Sequence, residues 1–233
     1  EKNQAVNGIE DTEILEIIDH HRLGPIQTIT PVFFRNQPLG CTGTIIYKMY
    51  QEAGIEIEPV IAGLMCSAII SDTLIFKSPT CTTDDIEAAT ELARIAGIDP
   101  EVYGREMFGA GSNLDEKTDR EIFYQDFKKF TINDVTIGIG QANAMGPEDI
   151  EKIKLKELPF IDTVVGDGGL DVVYFLMTDI SAECSYVLCS GKNADTIMTL
   201  SFGVDKQKDT YILKNVVSRK KQFLPAIMEA MEQ

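Results

Sequence analysis

The sequence has no tryptophan and only two histidines, His20 and His21, which are adjacent. Cations are also scarce: 21 Lys and Arg stand against 37 Asp and Glu, a formal net charge of −16 over 233 residues. So acidic a chain is a poor candidate for general binding to nucleic acid or to an anionic membrane, because both require a basic surface. A small anionic substrate held by a few clustered cations or by metal ions is not excluded.

Signals for disulfides and for membrane insertion are missing as well. The most apolar stretch, 61–70, is too short to span a bilayer, and no signal-peptide pattern is found. The cysteines are odd in number and lack C-x-x-C spacing, so we expect free thiols and a reducing cytoplasm rather than a disulfide framework or a zinc ribbon. They are Cys41, Cys66, Cys81, Cys184 and Cys189.

The first half of the chain predicts one lobe of an α/β fold with a mostly parallel sheet. An apolar strand, 13–19, ends in the triplet Asp-His-His, and a second short strand covers 31–35. Helical periodicity follows over 42–53, 59–75 and 83–96, and Pro100 opens another helix. The small residues of 109–113 mark a boundary, so we predict domains 1–111 and 117–233 joined by a linker, 112–116.

The second half predicts a smaller lobe with a mixed sheet and helices on its faces, and an active site in the cleft between the lobes. It begins with a predicted polar helix over 116–130. The predicted strands are 135–141, 171–179, 184–189 and 210–217. The predicted helices are 147–164, 195–201 and 222–232.

The triplet Asp19-His20-His21 is a candidate metal site, because imidazole is a common metal ligand and a neighbouring carboxylate can orient it. Its place at the carboxyl end of a buried strand favours a functional role, since ligands bind at that end in open α/β sheets. Two surface histidines in a turn remain the alternative.

Asp72 lies inside the most apolar predicted helix, where a lone carboxylate is costly unless it is paired or binds a metal. A carboxylate and an imidazole together suit a cation such as Mn²⁺ or Co²⁺. A solvent-facing position near the helix end is the alternative.

A third candidate is the segment Ser218–Gln222, which has three consecutive cations between the last strand and the last helix. A helix N-terminus, a planar Arg fork and a Lys charge together make a good phosphate site, although a solvated basic turn would look alike. Taken alone, Lys128 and Lys129 are typical of a solvated helix face.

Three segments in this order, IIDHHRLGP, SAIISDTLIFKSPTCT and a closing VVSRKKQ, resemble the DHH phosphoesterase superfamily, and within it the family II inorganic pyrophosphatases. The Gly-rich closing motif of the superfamily's nuclease branch is absent. The resemblance implies a hydrolase that converts pyrophosphate to two phosphates with two Mn²⁺ or Co²⁺ ions per site and Mg²⁺ on the substrate. It also implies a cytoplasmic homodimer.

The same resemblance implies roles for individual residues. His20 and Asp72 would be metal ligands, Asp19 would orient them, and His21 would face the substrate and a metal-bridging hydroxide that attacks phosphorus. The residues implied to bind the phosphates and to offset their charge during catalysis are Lys128, Ser218, Arg219 and Lys220.

The sequence departs from the family pattern in one respect. The family's earlier motifs, GHxNPDxD and VDHN, do not occur in it, so we expect them in a preceding segment and expect the 233 residues alone to bind Mn²⁺ weakly. Some family members carry adenine-nucleotide-binding CBS domains in that region. A phosphohydrolase for short polyphosphates or cyclic nucleotides, and a metal-poor regulatory module, are the two alternative functions.

Overall fold

The computed structural model describes residues 6–24, 27–112, 114–166 and 169–232. The chain divides into two compact units, Glu1–Gly104 and Arg105–Gln233. The predicted linker 112–116 includes Asn113, which lies outside the described residues. No helix in the described part of the chain is long and apolar enough to cross a membrane.

The first unit has a two-stranded parallel sheet and helices. Strand β1 (Glu16–Asp19) pairs in parallel with β2 (Phe33–Asn36), so that Asp19 lies opposite Asn36 at their carboxyl ends. Its helices are α1 (Thr42–Ala53), α2 (Pro59–Thr73) and α3 (Thr83–Ala96). Helix α4 (Pro100–Ser112) begins in the first unit and continues into the second.

Helix α2 ends two residues earlier than expected, at Thr73, because the next three residues adopt left-handed backbone angles. Leu74, Ile75 and Phe76 have φ values of 52°, 52° and 64°. Such angles cost an L-residue about 1–2 kcal/mol each, and most of all a β-branched one. The packing of the first unit therefore maintains a strained turn directly after the Ser71-Asp72-Thr73 segment.

The second unit is built on a five-stranded mixed sheet in the order β3-β4-β5-β6-β7, in which only β4 and β5 are parallel. The strands are β3 (Phe127–Ile132), β4 (Val135–Ala144), β5 (Val172–Asp179), β6 (Cys184–Gly191) and β7 (Tyr211–Lys214). The helices are α5 (Asp119–Tyr124), α6 (Pro147–Val164), α7 (Ala194–Phe202) and α8 (Leu224–Glu232), and a π-helical turn, Arg219–Phe223, precedes α8.

Two apolar cores lie on opposite faces of this sheet. All eight residues of β5 are buried, because both faces are covered. Phe175 and Met177 point into the core shared with α5 and α6, whereas Tyr174 and Leu176 point into the core shared with α7 and α8. Phe223 is fully buried in the second core, which anchors the π-helical turn to the sheet.

The predicted polar helix over 116–130 is confirmed only for 119–124 and is wrong for 127–130. A capping box between Thr118 and Glu121 starts a helix that ends at Tyr124, and 127–132 is a strand. The strand forms because Asn133 and Asp134, with φ of 48° and 63°, make the tight turn of a hairpin with β4. Lys128 is therefore a strand residue.

Candidate metal centre and phosphate site

Asp19, His20 and His21 form a cluster at the carboxyl end of β1, with ligand-type atoms within 4.8 Å of one another. Oδ1 of Asp19 accepts hydrogen bonds from the backbone N–H groups of His20 (2.7 Å) and His21 (3.2 Å) and contacts Nδ1 of His21 at 2.8 Å. The carboxylate thus bends the chain back on itself and brings the two imidazole centroids to 4.1 Å. Burial raises the pKa of Asp19, but these hydrogen bonds outweigh it and leave the pKa below its ordinary value.

The partners of the two imidazoles leave the same nitrogen available on each. Nδ1 of His20 lies 3.0 Å from the carbonyl oxygen of Leu39, which can only accept, so the proton is on Nδ1. Nδ1 of His21 faces the carboxylate of Asp19 in the same way. Each Nε2 is then a lone-pair donor. Two such nitrogens beside a carboxylate fit a borderline divalent cation such as Mn²⁺ or Co²⁺.

The expectation that Asp72 is buried in an apolar helix is wrong. The residue is exposed, near the C-terminal end of α2, because the helix turns this position to solvent. Its carboxylate accepts a hydrogen bond from the thiol of Cys41, and this contact adds to the effect of burial in raising the thiol pKa. Asp72 is not a member of the Asp19-His20-His21 cluster in the described part of the chain, although Cys41 lies only two residues beyond Leu39.

In the second unit, the side chain of Arg219 contacts the backbone at two places near Lys128, just before β3 and in its partner strand β4. Nη1 of Arg219 donates to the carbonyl oxygens of Asp126 (2.6 Å) and Ile139 (3.2 Å), and Nη2 donates to Oδ1 of Asp126 (2.7 Å). Ile139 is the cross-strand neighbour of Lys128. The Arg219 side chain is only 11% exposed, and its guanidinium joins the segment after β7 to the residue that precedes β3. Lys128 is half-buried, and its ammonium makes no hydrogen bond or ion pair with another described residue.

Ser218 is the N-cap of the π-helical turn, since its hydroxyl oxygen accepts the N–H of Lys221 at 3.2 Å. Oε1 of Gln222 accepts the N–H groups of Val217 and Ser218, both at 3.0 Å. Lys220 is exposed. π-Helical turns are rare and are frequently found at functional sites.

Two further residues, Leu39 and Asp126, orient the candidate side chains, and neither is indicated by a sequence motif. Leu39 acts through its carbonyl oxygen, which leaves no trace in residue type. Asp126 acts through its side chain on Arg219, and the only sequence signal is its place two residues before Lys128.

Family models match both units of the chain. Residues 1–69 match the model described as "DHH family, N-terminal domain". Residues 105–230 match the model described as "DHHA2 domain".

Similar proteins cover the chain from end to end. A manganese-dependent inorganic pyrophosphatase of Bacillus subtilis is 44% identical over 231 residues, which are 99% of this chain and 74% of the relative. A cobalt-dependent inorganic pyrophosphatase of Clostridium perfringens is 46% identical over 98% of this chain and 42% of its own length. A solved structure of a family II inorganic pyrophosphatase from Methanococcus jannaschii matches all of this chain and 78% of its own, with a TM-score of 0.82 and 36% identity.

Proposed function

The chain belongs to the family II inorganic pyrophosphatases of the DHH superfamily. From that premise we propose which of its residues bind metal ions and which bind pyrophosphate during hydrolysis. The family's reaction is the manganese- or cobalt-dependent hydrolysis of pyrophosphate to two phosphates. The observation that carries the proposal is the geometry of Asp19, His20 and His21, in which the two imidazole Nε2 atoms lie beside a carboxylate and have no partner among the described residues.

His20 and Asp72 are the proposed metal ligands. His20 is held by Leu39 so that its Nε2 is presented, and Asp19 holds the bend that carries it. When bound, the metal ions supply Lewis-acid activation of water and offset phosphate charge. His21 orients the substrate or the attacking water through Nε2, because its Nδ1 is occupied by Asp19.

Lys128, Arg219 and Lys220 are the proposed phosphate-binding cations. The ammonium of Lys128 has no polar partner among the described residues, so it is available to a phosphate oxygen. Lys220 is exposed on the π-helical turn, where the positive charge of its ammonium can attract an anionic phosphate. Arg219 donates to the carboxylate and carbonyl of Asp126 and to the carbonyl of Ile139, so it fixes the turn as well as adding positive charge near the phosphate, while Ser218 caps the turn.

We also propose that the two domains contribute different parts of the active site. The first, 1–111, contributes the metal ligands, and the second, 117–233, contributes the cations that offset the charge developing on the phosphoryl oxygens. We further propose two Mn²⁺ or Co²⁺ ions per site, Mg²⁺ on the substrate, a cytoplasmic homodimer, and adenine-nucleotide regulation where CBS domains accompany the family's catalytic units.

A substrate panel tests the function. The purified protein at its natural length is incubated with pyrophosphate, tripolyphosphate or a cyclic dinucleotide, each with Mn²⁺, Co²⁺ or chelator. Phosphate release from pyrophosphate with Mn²⁺ or Co²⁺, and little with chelator, is the expected result. A preference for tripolyphosphate or for the cyclic dinucleotide would favour the other phosphohydrolase function. Absence of bound metal would favour the regulatory module.

A further inference from the structure

The carboxylate of Asp85, at the start of α3, is fully buried and accepts four hydrogen bonds. Oδ2 accepts from the backbone N–H groups of Gly40 and Thr82, both at 2.8 Å, and from the hydroxyl of Thr82 at 2.6 Å. Oδ1 accepts from the hydroxyl of Thr44. Burial raises the pKa of Asp85, but these donors lower it below its ordinary value, so the group is an anion.

Helix capping accounts for only part of this arrangement. The bonds from Thr82 complete a capping box at the N-terminus of α3. The second unit has a box of the same kind, in which Oε2 of Glu121 accepts the N–H and the hydroxyl of Thr118, both at 2.8 Å, on the protein surface. Asp85 differs because it also reaches Gly40, 45 residues away along the chain.

The N–H of Gly40 and the carbonyl of Leu39 belong to one peptide group. Asp85 holds the N–H, and Nδ1 of His20 lies 3.0 Å from the carbonyl oxygen. Since a peptide group is planar and trans, fixing its N–H also fixes the direction of its C=O. The carboxylate, the peptide and the imidazole thus form a relay in which each hydrogen bond polarises the next.

Glycine at position 40 is required by the same contact. A Cβ there would lie 2.7 Å from Oδ2 of Asp85 and 2.9 Å from Cγ2 of Thr73. Both neighbours are buried, so neither can move aside without disturbing the core. The backbone can approach the carboxylate this closely only because residue 40 has no side chain.

We propose that Asp85 is a positioning residue for the metal centre: through the peptide group between Leu39 and Gly40 it holds the imidazole of His20 with Nε2 directed at the metal. The inference rests on the proposed role of His20 as a metal ligand. Groups that orient a metal-bound histidine in this way typically change metal affinity by about 10- to 100-fold when they are removed.

The test uses three substitutions in the protein at its natural length, with Mn²⁺ alone as the probe. Asp85→Ala removes the relay, Asp85→Asn keeps an acceptor for Gly40 and can donate to Thr44, and Glu121→Ala removes the matched cap in the second unit. Free Mn²⁺ is measured by electron paramagnetic resonance. We expect Asp85→Ala to weaken Mn²⁺ binding about 10- to 100-fold, Asp85→Asn to restore most of it, and Glu121→Ala to leave it unchanged.

The imidazole ¹⁵N spectrum of the metal-free wild type gives a second readout that does not depend on variants folding. We expect His20 as the Nδ1–H tautomer and slow exchange of the Gly40 amide proton, and either an Nε2–H tautomer or a rapidly exchanging amide would overturn the proposal. If His20→Ala binds Mn²⁺ like the wild type, His20 is not a metal ligand, and both the proposed function of His20 and the relay from Asp85 are refuted. If His20→Ala loses Mn²⁺ binding while Asp85→Ala keeps it, the proposed positioning role of Asp85 is refuted and the role of His20 as a metal ligand stands.

Discussion

The carboxylate of Glu157 in α6 makes the stability of the second unit depend on pH. It is fully buried, and neither oxygen has a hydrogen-bond partner among the described residues. Burial raises its pKa to about 8, and the carboxylate of Asp119 adds to the effect. Lys156 opposes it only in part, because its ammonium is bonded to the carbonyl oxygens of Leu114 and Lys117.

The free energy of unfolding depends on pH because the pKa of Glu157 differs between the folded and the unfolded chain. Below the ordinary value of 4.5, Glu157 is protonated in both the folded and the unfolded chain. Between 4.5 and about 8 the unfolded chain releases a proton that the folded chain keeps, so the free energy of unfolding falls as pH rises. At about 1.4 kcal/mol per pH unit, the loss reaches about 5 kcal/mol at most.

The variant Glu157→Gln removes this titration and keeps the shape of the neutral side chain. We expect it to be more stable than the wild type by about 3–5 kcal/mol near pH ~8.5 and to differ little near pH ~5. Urea unfolding followed by far-UV circular dichroism measures this, since the chain has no tryptophan. The exposed Glu151 on the same helix gives the control Glu151→Gln. Identical pH dependence in wild type and Glu157→Gln would refute the reasoning.

Three further changes probe other contacts. Arg219→Ala should destabilise the fold by about 2–3 kcal/mol, because it removes the charge-assisted hydrogen bonds of a mostly buried side chain that join the π-helical turn to Asp126 and Ile139; urea unfolding checks this. Lys128→Ala should raise KM for pyrophosphate about 10-fold or more in steady-state assays and leave the unfolding midpoint unchanged. Asp134→Gly should stabilise by about 0.5–1 kcal/mol in the same unfolding experiment, because the hairpin holds this residue at φ 63°.

Local signals in the sequence predicted most of the helices and several of the strands. The helix α6 was expected at 147–164 and lies there, because Pro147 and two acidic residues define its start. The strand β3 was missed because its four polar or aromatic residues, 127–130, fit a helix face as well as a strand. What decides between them is pairing with β4, a contact that the local pattern does not contain.

Contacts between distant segments also determine the geometry of the candidate site, and the local sequence pattern does not contain them. The hydrogen bond between Nδ1 of His21 and the carboxylate of Asp19 joins residues only two positions apart, so the motif itself indicates that it can form. The peptide that orients His20 acts through backbone atoms 19 residues away, and the carboxylate that holds this peptide comes from a third segment. Such contacts depend on how α1, α3 and β1 pack, which residue types alone do not specify. The exposure of Asp72 likewise follows from the rotation of α2 about its axis.

The central claim is that these residues hydrolyse pyrophosphate with cations of the π-helical turn bound to the substrate. The most direct measurement is kcat/KM for Mn²⁺-dependent phosphate release by wild type, Lys220→Ala and Lys221→Ala at natural length. Both lysines are exposed on the same turn, so the two variants lose the same charge. We expect a loss of about 100-fold or more for Lys220→Ala and less than about threefold for Lys221→Ala, with unchanged unfolding midpoints. Equal losses in the two variants, or a wild type that does not release phosphate from pyrophosphate, would contradict the proposed role of Lys220.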